Sequence, residues 1–126
     1  MPKILLPHDA QIVIYNGPDP EYQGRELLFG SNSDGGENNQ IVIVDVTDKA
    51  NPEKISSITY SNGGYTHQGF FSDDQQYFFL GDELDELRFG STTQTRIFDL
   101  TRLSNPLQHF TYFASVNAID HNGYVK

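Results

Sequence analysis

The chain reads as all-β and built from a repeat. Three observations predict that class: one residue offset shared by separate blocks, a succession of short strand-like segments, and no helix-length periodic run. The first blocks are IVDVTDKANP at 43–52 and IFDLTRLSNP at 97–106. Ile43/Ile97, Asp45/Asp99, Thr47/Thr101, Asn51/Asn105 and Pro52/Pro106 are identical at an offset of 54. THQGFF at 66–71 faces DHNGYV at 120–125 with the same offset, carried by His67/His121 and Gly69/Gly123. A fixed period of this length marks a repeat architecture. HDAQIVI at 8–14 opens a fainter copy, in which His8 precedes Asp9 and the small Ala10. His8 stands 37 residues before Asp45, against 32 from His67 to Asp99, so the first unit holds extra loop, placed in NGPDPEYQG at 16–24.

Each unit divides into four apolar segments separated by turn residues. In the first they are QIVIY (11–15), ELLFG (26–30), QIVIVDV (40–46) and KISSITY (54–60). In the second they are HQGFF (67–71), QYFFLG (76–81), TRIFDL (95–100) and LQHFTYF (107–113). Short runs rich in Ile, Val, Phe and Tyr are strand formers, and their spacing suits antiparallel pairing. IVIV at 41–44 is continuously apolar, which predicts a strand covered on both faces. ELDELR at 83–88 has room for one helical turn. In the repeated Asp-x-Thr-x-x-x-Asn-Pro block, Asp and Thr side chains can bond turn amides, and Pro directs the preceding residue out of the α region to launch the next strand.

A four-stranded unit of about 54 residues, flanked by its like, is the pattern of a β-propeller blade. A sandwich is the rival, but it has no reason to repeat at a fixed offset. The expectation is therefore two four-stranded antiparallel blades, at about 8–60 and 65–114, plus the first strand of a third at about 118–126. Closed propellers have four to eight blades. Such a chain is expected to be a segment of a longer propeller or to assemble with copies of itself, by ring formation or strand exchange.

Composition narrows the function classes. Eight Lys and Arg against 17 Asp and Glu give a net charge of −9 over 126 residues, which argues against nucleic acid as partner. Aromatics at 13% indicate a folded core rather than disorder. The absence of cysteine excludes a disulfide framework, a thiolate metal site and a Cys nucleophile. No apolar run has the length of a membrane helix, and MPKILLPHDA is too short in apolar residues for a secretory signal. No nucleophile elbow, phosphate loop, dinucleotide fingerprint or H-E-x-x-H helix occurs.

Two constellations remain as candidate sites. His8, His67 and His121 open equivalent strands, so they are expected at one height around a channel, where convergent imidazoles suit zinc or another transition metal. The competing reading has each His bonding a local turn or a neighbouring blade. Asp82, Glu83, Asp85 and Glu86 crowd the loop GDELDELRFG at 81–90, a density of hard oxygen ligands that suits calcium without following EF-hand spacing. Solvation, with Arg88 neutralising part of the loop, is its bland alternative. SNSDGGENN at 31–39 is a second oxygen-rich loop. The strand aromatics Phe70, Phe71, Tyr77, Phe78, Phe79, Phe98, Phe110, Tyr112 and Phe113 are expected between blades. Tyr15, Tyr22, Tyr60 and Tyr65, at strand ends or in loops, are the better candidates for a contact surface, although Tyr is ordinary at such places too.

These residues resemble a known group. IVIVDVTDKANP (41–52) is similar to the repeat of the LVIVD-repeat proteins. HDAQIVIYNGPDPEYQGRE (8–26), YTHQGFFSDDQQYFFLGDELDE (65–86) and AIDHNGYVK (118–126) resemble stretches of their choice-of-anchor B subgroup. The resemblance implies a propeller-like fold in longer, mostly bacterial proteins that are exported or surface-attached, and it supplies no reaction or catalytic residue. Relatives often carry a cysteine where Pro7 stands here. The expected function is a non-enzymatic binding or interaction module of such a protein. The alternative is a metal-dependent hydrolase at the channel mouth.

Overall fold

The computed structural model describes residues 7–32 and 39–116. His121, the strand expected at 118–126 and positions 33–38 of the loop at 31–39 lie outside the described residues. Eight strands form two antiparallel meanders: β1 (Pro7–Ile14), β2 (Glu26–Asn32), β3 (Gln40–Asp45) and β4 (Glu53–Thr59) in sheet 1, then β5 (Thr66–Phe71), β6 (Tyr77–Asp82), β7 (Gln94–Asp99) and β8 (Leu107–Phe113) in sheet 2. One short helix, α1 (Asp85–Phe89), follows β6 and ends on Gly90 in the left-handed region. The fold is all-β, as two four-stranded antiparallel sheets consistent with a propeller segment. No helix among the described residues is long and apolar enough to cross a membrane, which says nothing of membrane-crossing strands.

The offset of 54 extends to strand boundaries and to irregularities. β3 and β7 begin and end at matching positions, as do β4 and β8. The β3–β4 ladder skips Ile55, and the β7–β8 ladder skips His109 at the matching position. The β1–β2 ladder likewise skips His8, and the β5–β6 ladder skips His67. A bulge inserts one unpaired residue and re-aims its side chain, so bulges shared between the units mark one design used twice. The turns agree as well. Thr47 N–H donates to Asp45 Oδ1 (3.0 Å) and Thr101 N–H to Asp99 Oδ1 (2.8 Å). Asn51 N–H and Asn105 N–H each donate to the carbonyl three residues back.

Register defines the faces. In sheet 1, Phe29 lies opposite Ile43, and Leu27 and Ile41 share that side; we call it the front. Through the matching ladders, Phe79 opposite Ile97 occupies the equivalent place in sheet 2, so the front of sheet 2 carries Phe70, Phe79, Ile97 and Phe110. Phe78, opposite Phe71 and Phe98, belongs to the back of sheet 2, with Leu80 opposite Gly69. The core joins the front of sheet 1 to the back of sheet 2. Phe29 meets Phe71 edge-on at 4.5 Å and Phe78 in a stack at 5.8 Å, and Leu27, Phe29, Ile41, Ile43, Phe78, Leu80 and Phe98 are sealed from solvent. Unlike faces therefore pack together, as in neighbouring propeller blades, with β5 running beside β1 and β2.

Among the described residues, front-to-back packing places no second sheet against the back of sheet 1 or the front of sheet 2. On the back of sheet 1, Ile12 and Ile14 are 57% and 56% exposed, with half-buried Leu28, Val42 and Val44 beside them. On the front of sheet 2, Phe110 and Tyr112 are 57% and 58% exposed. The expectation that 41–44 is covered on both faces is thus met on one: Ile41 and Ile43 are buried, while Val42 and Val44 look outward. β1 also begins earlier than its apolar run. Its polar opening pairs Pro7 with Asn32 and Asp9 with Ser31 around the His8 bulge, which interrupts the alternation that would reveal it.

The junction tolerates no extra atom at Gly69. A methyl group there would stand 2.2 Å from a ring carbon of Phe78. We expect Gly69→Ala to destabilise the chain by roughly 1–3 kcal/mol or more through overpacking, read as a lowered urea midpoint. Ala10→Gly, at the matching but exposed place in β1, should change the midpoint far less.

The turn aspartates impose a pH dependence. The Thr101 hydroxyl and amide hold the Asp99 carboxyl below its ordinary value. At Asp45 partial burial pushes upward, but the bonds from Thr47 and Arg25 outweigh it and the net shift is downward. Carboxyls depressed on folding add stability that is complete above their unfolded value, about 3.9, and is lost as pH falls through the folded value. Thr101→Val should therefore lower the urea midpoint at neutral pH and leave a smaller difference between wild type and variant below pH 3.

Candidate functional site

The sequence places histidines at the opening of both first strands, and the bulges bring two of them together. His8 and His67 have ring centroids 4.3 Å apart with planes tilted by 39°. His67 is buried at the junction, and His8 lies on its solvent side. Tyr65, at the end of the linker between the sheets, completes the cluster. Its hydroxyl lies 3.0 Å from His8 Nδ1, with the two rings edge to face at 5.2 Å. A Glu83 oxygen lies 3.6 Å from His67 Nε2. Two imidazoles, a phenol and a carboxylate thus share one end of the two first strands, with residues from both sheets. Chemically this is a set of polar groups able to hold a small polar ligand by directed hydrogen bonds.

A metal needs more. Tetrahedral zinc takes four ligands, and the His pair supplies two. Among the described residues no three His, Asp or Glu side chains converge so as to hold a metal ion, and His121 lies outside them.

The acidic loop is used differently from what its composition suggests. Asp82 is fully buried and accepts four hydrogen bonds: Tyr60 Oη (2.7 Å) and Gly64 N (2.9 Å) on Oδ2, Tyr65 N (2.8 Å) and Leu84 N (3.2 Å) on Oδ1. Three of those donors lie in the linker 60–65. Asp85 pairs with Arg96 at 2.7 Å, with both side chains almost wholly buried. Arg96 lies over the Tyr60 ring at 4.6 Å and donates to the Asn62 carbonyl at 3.3 Å. Glu86 is buried, and Glu83 turns toward His67. Of the four carboxylates expected to share a calcium ion, Asp82, Asp85 and Glu83 are thus directed to separate partners, and among the described residues no group of three such side chains is placed to hold a metal, whereas calcium takes six to eight oxygens around one point. Asp82 directly, and Asp85 through Arg96, hold the linker.

Other polar groups reinforce this lock. Asn39 accepts from Thr66 N (3.2 Å) and donates to the Gly63 carbonyl (3.1 Å), and the Tyr60 and Thr66 hydroxyls lie 2.6 Å apart. Burial first, then the Asp82 charge, pushes the Tyr60 phenol far above its ordinary value, so it remains a neutral donor. At the opposite end, the extra loop of the first unit bridges the sheets. Asp19 is buried and accepts Leu103 N at 2.9 Å, while Asn16 N donates to Gln75 Oε1 at 2.8 Å.

Two of the four tyrosines named as contact-surface candidates are internal. Tyr15 is fully buried, with its hydroxyl accepting Asp19 N, and Tyr60 packs on the core. Their position at strand ends among polar residues hid this. Sequence reasoning also missed Arg96, whose signal is a lone cation at an inward position of the strand TRIFDL. Phe70, Phe79, Phe110 and Tyr112 lie on the front of sheet 2, away from the junction between the sheets, whereas Phe71, Phe78 and Phe98 fill it as expected.

Comparison with known protein families and with curated proteins gave no match.

The Asp85–Arg96 pair yields a test. Removing one member of a buried pair strands the other charge and costs roughly 3–5 kcal/mol, whereas replacing both with apolar residues costs little. Arg96→Met and Asp85→Leu should each lower the unfolding midpoint strongly, and the double variant should recover most of the loss. Additive losses in the double-mutant cycle would contradict this assignment.

Proposed function

We propose that the chain is a β-propeller segment of the LVIVD-repeat, choice-of-anchor B kind, acting as a non-enzymatic binding module of an exported or surface-attached bacterial protein. The observation that carries this reading is the use of the charged groups. Asp82, Asp85 and Arg96, the most deeply buried ionisable side chains of the acidic loop and its surroundings, are bonded to the linker or to each other. A group committed in this way serves to hold the fold. The His8, Tyr65, His67 and Glu83 cluster, at one end of the first strands, is the natural contact point for a small polar ligand or a partner's polar side chain.

The alternative reading, a metal-dependent hydrolase, draws on the same His pair. Generic ester, phosphate and glycoside substrates, offered with and without zinc and a chelator, separate the two. The expected result is no turnover under any condition. Turnover that chelation abolishes and His67→Ala removes would establish the hydrolase instead.

A further inference from the structure

We propose that β8 pairs edge to edge with β8 of a second copy of this chain, joining two molecules through one continuous sheet about a twofold axis. The inference concerns a sheet edge and does not depend on what the His8 cluster holds. β8 stands at the end of the strand order in sheet 2, as β4 does in sheet 1. Among the described residues β8 pairs with β7 alone, and none of Leu107–Phe113 has a hydrogen bond to another element. Alternate residues of an edge strand direct N–H and C=O groups away from their sheet, so β8 presents a template for another extended strand.

The repeat supplies an internal comparison. β4 and β8 occupy matching places at the offset of 54, yet β4 reads EKISSIT and β8 reads LQHFTYF. In β4 the exposed Glu53 and Lys54 are the kind of charged residue that discourages pairing at an edge, and Ser56, Ser57 and Thr59 continue it with short polar side chains. The same places in β8 hold Leu107, Gln108, Phe110, Thr111 and Phe113. Leu107 and Phe113 are 60% and 61% exposed, and Phe110 and Tyr112 are nearly as open. β8 has no Asp, Glu, Lys or Arg, although the chain carries a net charge of −9. A run of this length, rich in strand formers, uncharged and without proline, has the composition of segments that pair with their own kind.

The order of side chains selects a second β8 as the occupant. Residues opposite one another across an antiparallel pair lie on the same face of the sheet. After the bulge at His109, Phe110 and Tyr112 lie on the front, and Thr111 and Phe113 on the back. With the axis at Thr111, Phe110 of each copy stands opposite Tyr112 of the other, and Thr111 stands opposite itself. Two aromatic pairs then form on the front, the kind of cross-strand contact that stabilises a sheet. Moving the axis to Phe110 or to Tyr112 leaves one aromatic pair, Phe–Phe or Tyr–Tyr, in place of two. A twofold contact of this kind uses the same patch on both molecules and closes at two copies.

The register predicts a charge swap, tested on the whole chain with Phe110→Lys and Tyr112→Glu. Sedimentation velocity at micromolar concentration is read for wild type, each variant and their equimolar mixture, with circular dichroism confirming that each is folded. Wild type should sediment as a dimer of the 14.2 kDa chain. Each variant alone places a charge against a ring in both pairs and should be monomeric. The mixture should recover the dimer, because one new lysine then faces one new glutamate while the second pair remains Phe against Tyr.

A folded, monodisperse wild-type monomer overturns the proposal. So does a wild-type assembly that either variant leaves intact, since another surface then holds it, and so does a mixture that stays monomeric, since Phe110 and Tyr112 are then not opposite each other. If either variant fails to fold, single cysteines in this cysteine-free chain decide the matter under mild oxidation. Thr111→Cys should be captured as a disulfide-linked dimer under conditions that leave Ser115→Cys monomeric. Absence of that dimer, or equal capture at both positions, overturns the proposal. None of these outcomes bears on turnover or on the His8 cluster, so failure here is distinct from failure of the binding-module reading.

Discussion

The Asp82 carboxylate is the constraint on which the rest of the structure depends. It closes β6 and takes three hydrogen bonds from the linker that brings the chain out of sheet 1 and into sheet 2. The path of that linker decides which faces of the two sheets meet. A carboxylate accepts without donating and presents about four lone-pair sites, so it can gather four donors where an amide cannot. Buried bonds to an ionised acceptor are among the stronger ones, and each donor left unmet would carry its own desolvation penalty. The Asp85–Arg96 pair and the Tyr60 ring beneath it fix the other side of the same linker. Gly64 is part of this design. A side chain there would press on the Leu84 and Asp85 backbone at 2.5–2.7 Å, so the linker and the loop after β6 approach as closely as backbones allow.

Directional bonds and apolar packing divide the work between them. The aromatic and aliphatic junction supplies most of the favourable burial, but such faces tolerate alternative registers and partners. The polar lock at one end, together with Asp19 and Gln75 at the other, allows one placement. That division also accounts for the histidine pair. A bulge at the start of each first strand re-aims one side chain, and the lock sets the two bulges side by side. His8 and His67 meet because the unit repeats and because the linker fixes its neighbour.

Much of the fold was legible in the sequence because its strongest signal is a repeat, which does not depend on propensity. Asp45 and Asp99 closing equivalent strands, and the turns ending at Asn51-Pro52 and Asn105-Pro106, follow from the offset alone. The start of β1 was harder to see, since a bulge in a polar stretch breaks the alternation from which strands are read. The site was legible in half. That His8 and His67 share a level follows from their matching places. That Tyr65 and Glu83 join them depends on the linker path, which local sequence does not encode. The acidic loop suggested calcium because composition counts carboxylates without their partners. Arg96 returns to Asp85 from a different strand, and three of the four donors on Asp82 come from 17 to 22 residues upstream.

The junction between the sheets is maintained by more than its apolar contacts. Inside the chain, front and back are tethered by a six-residue linker, and tethering holds the partner at high effective concentration before any contact is counted. The polar lock then adds direction. The faces alone would not need to meet in one way, since apolar surfaces accept several placements, and two untethered sheets would also have to meet the cost of lost translational and rotational freedom. The linker removes most of that cost, and its buried aspartate selects one placement from those that remain.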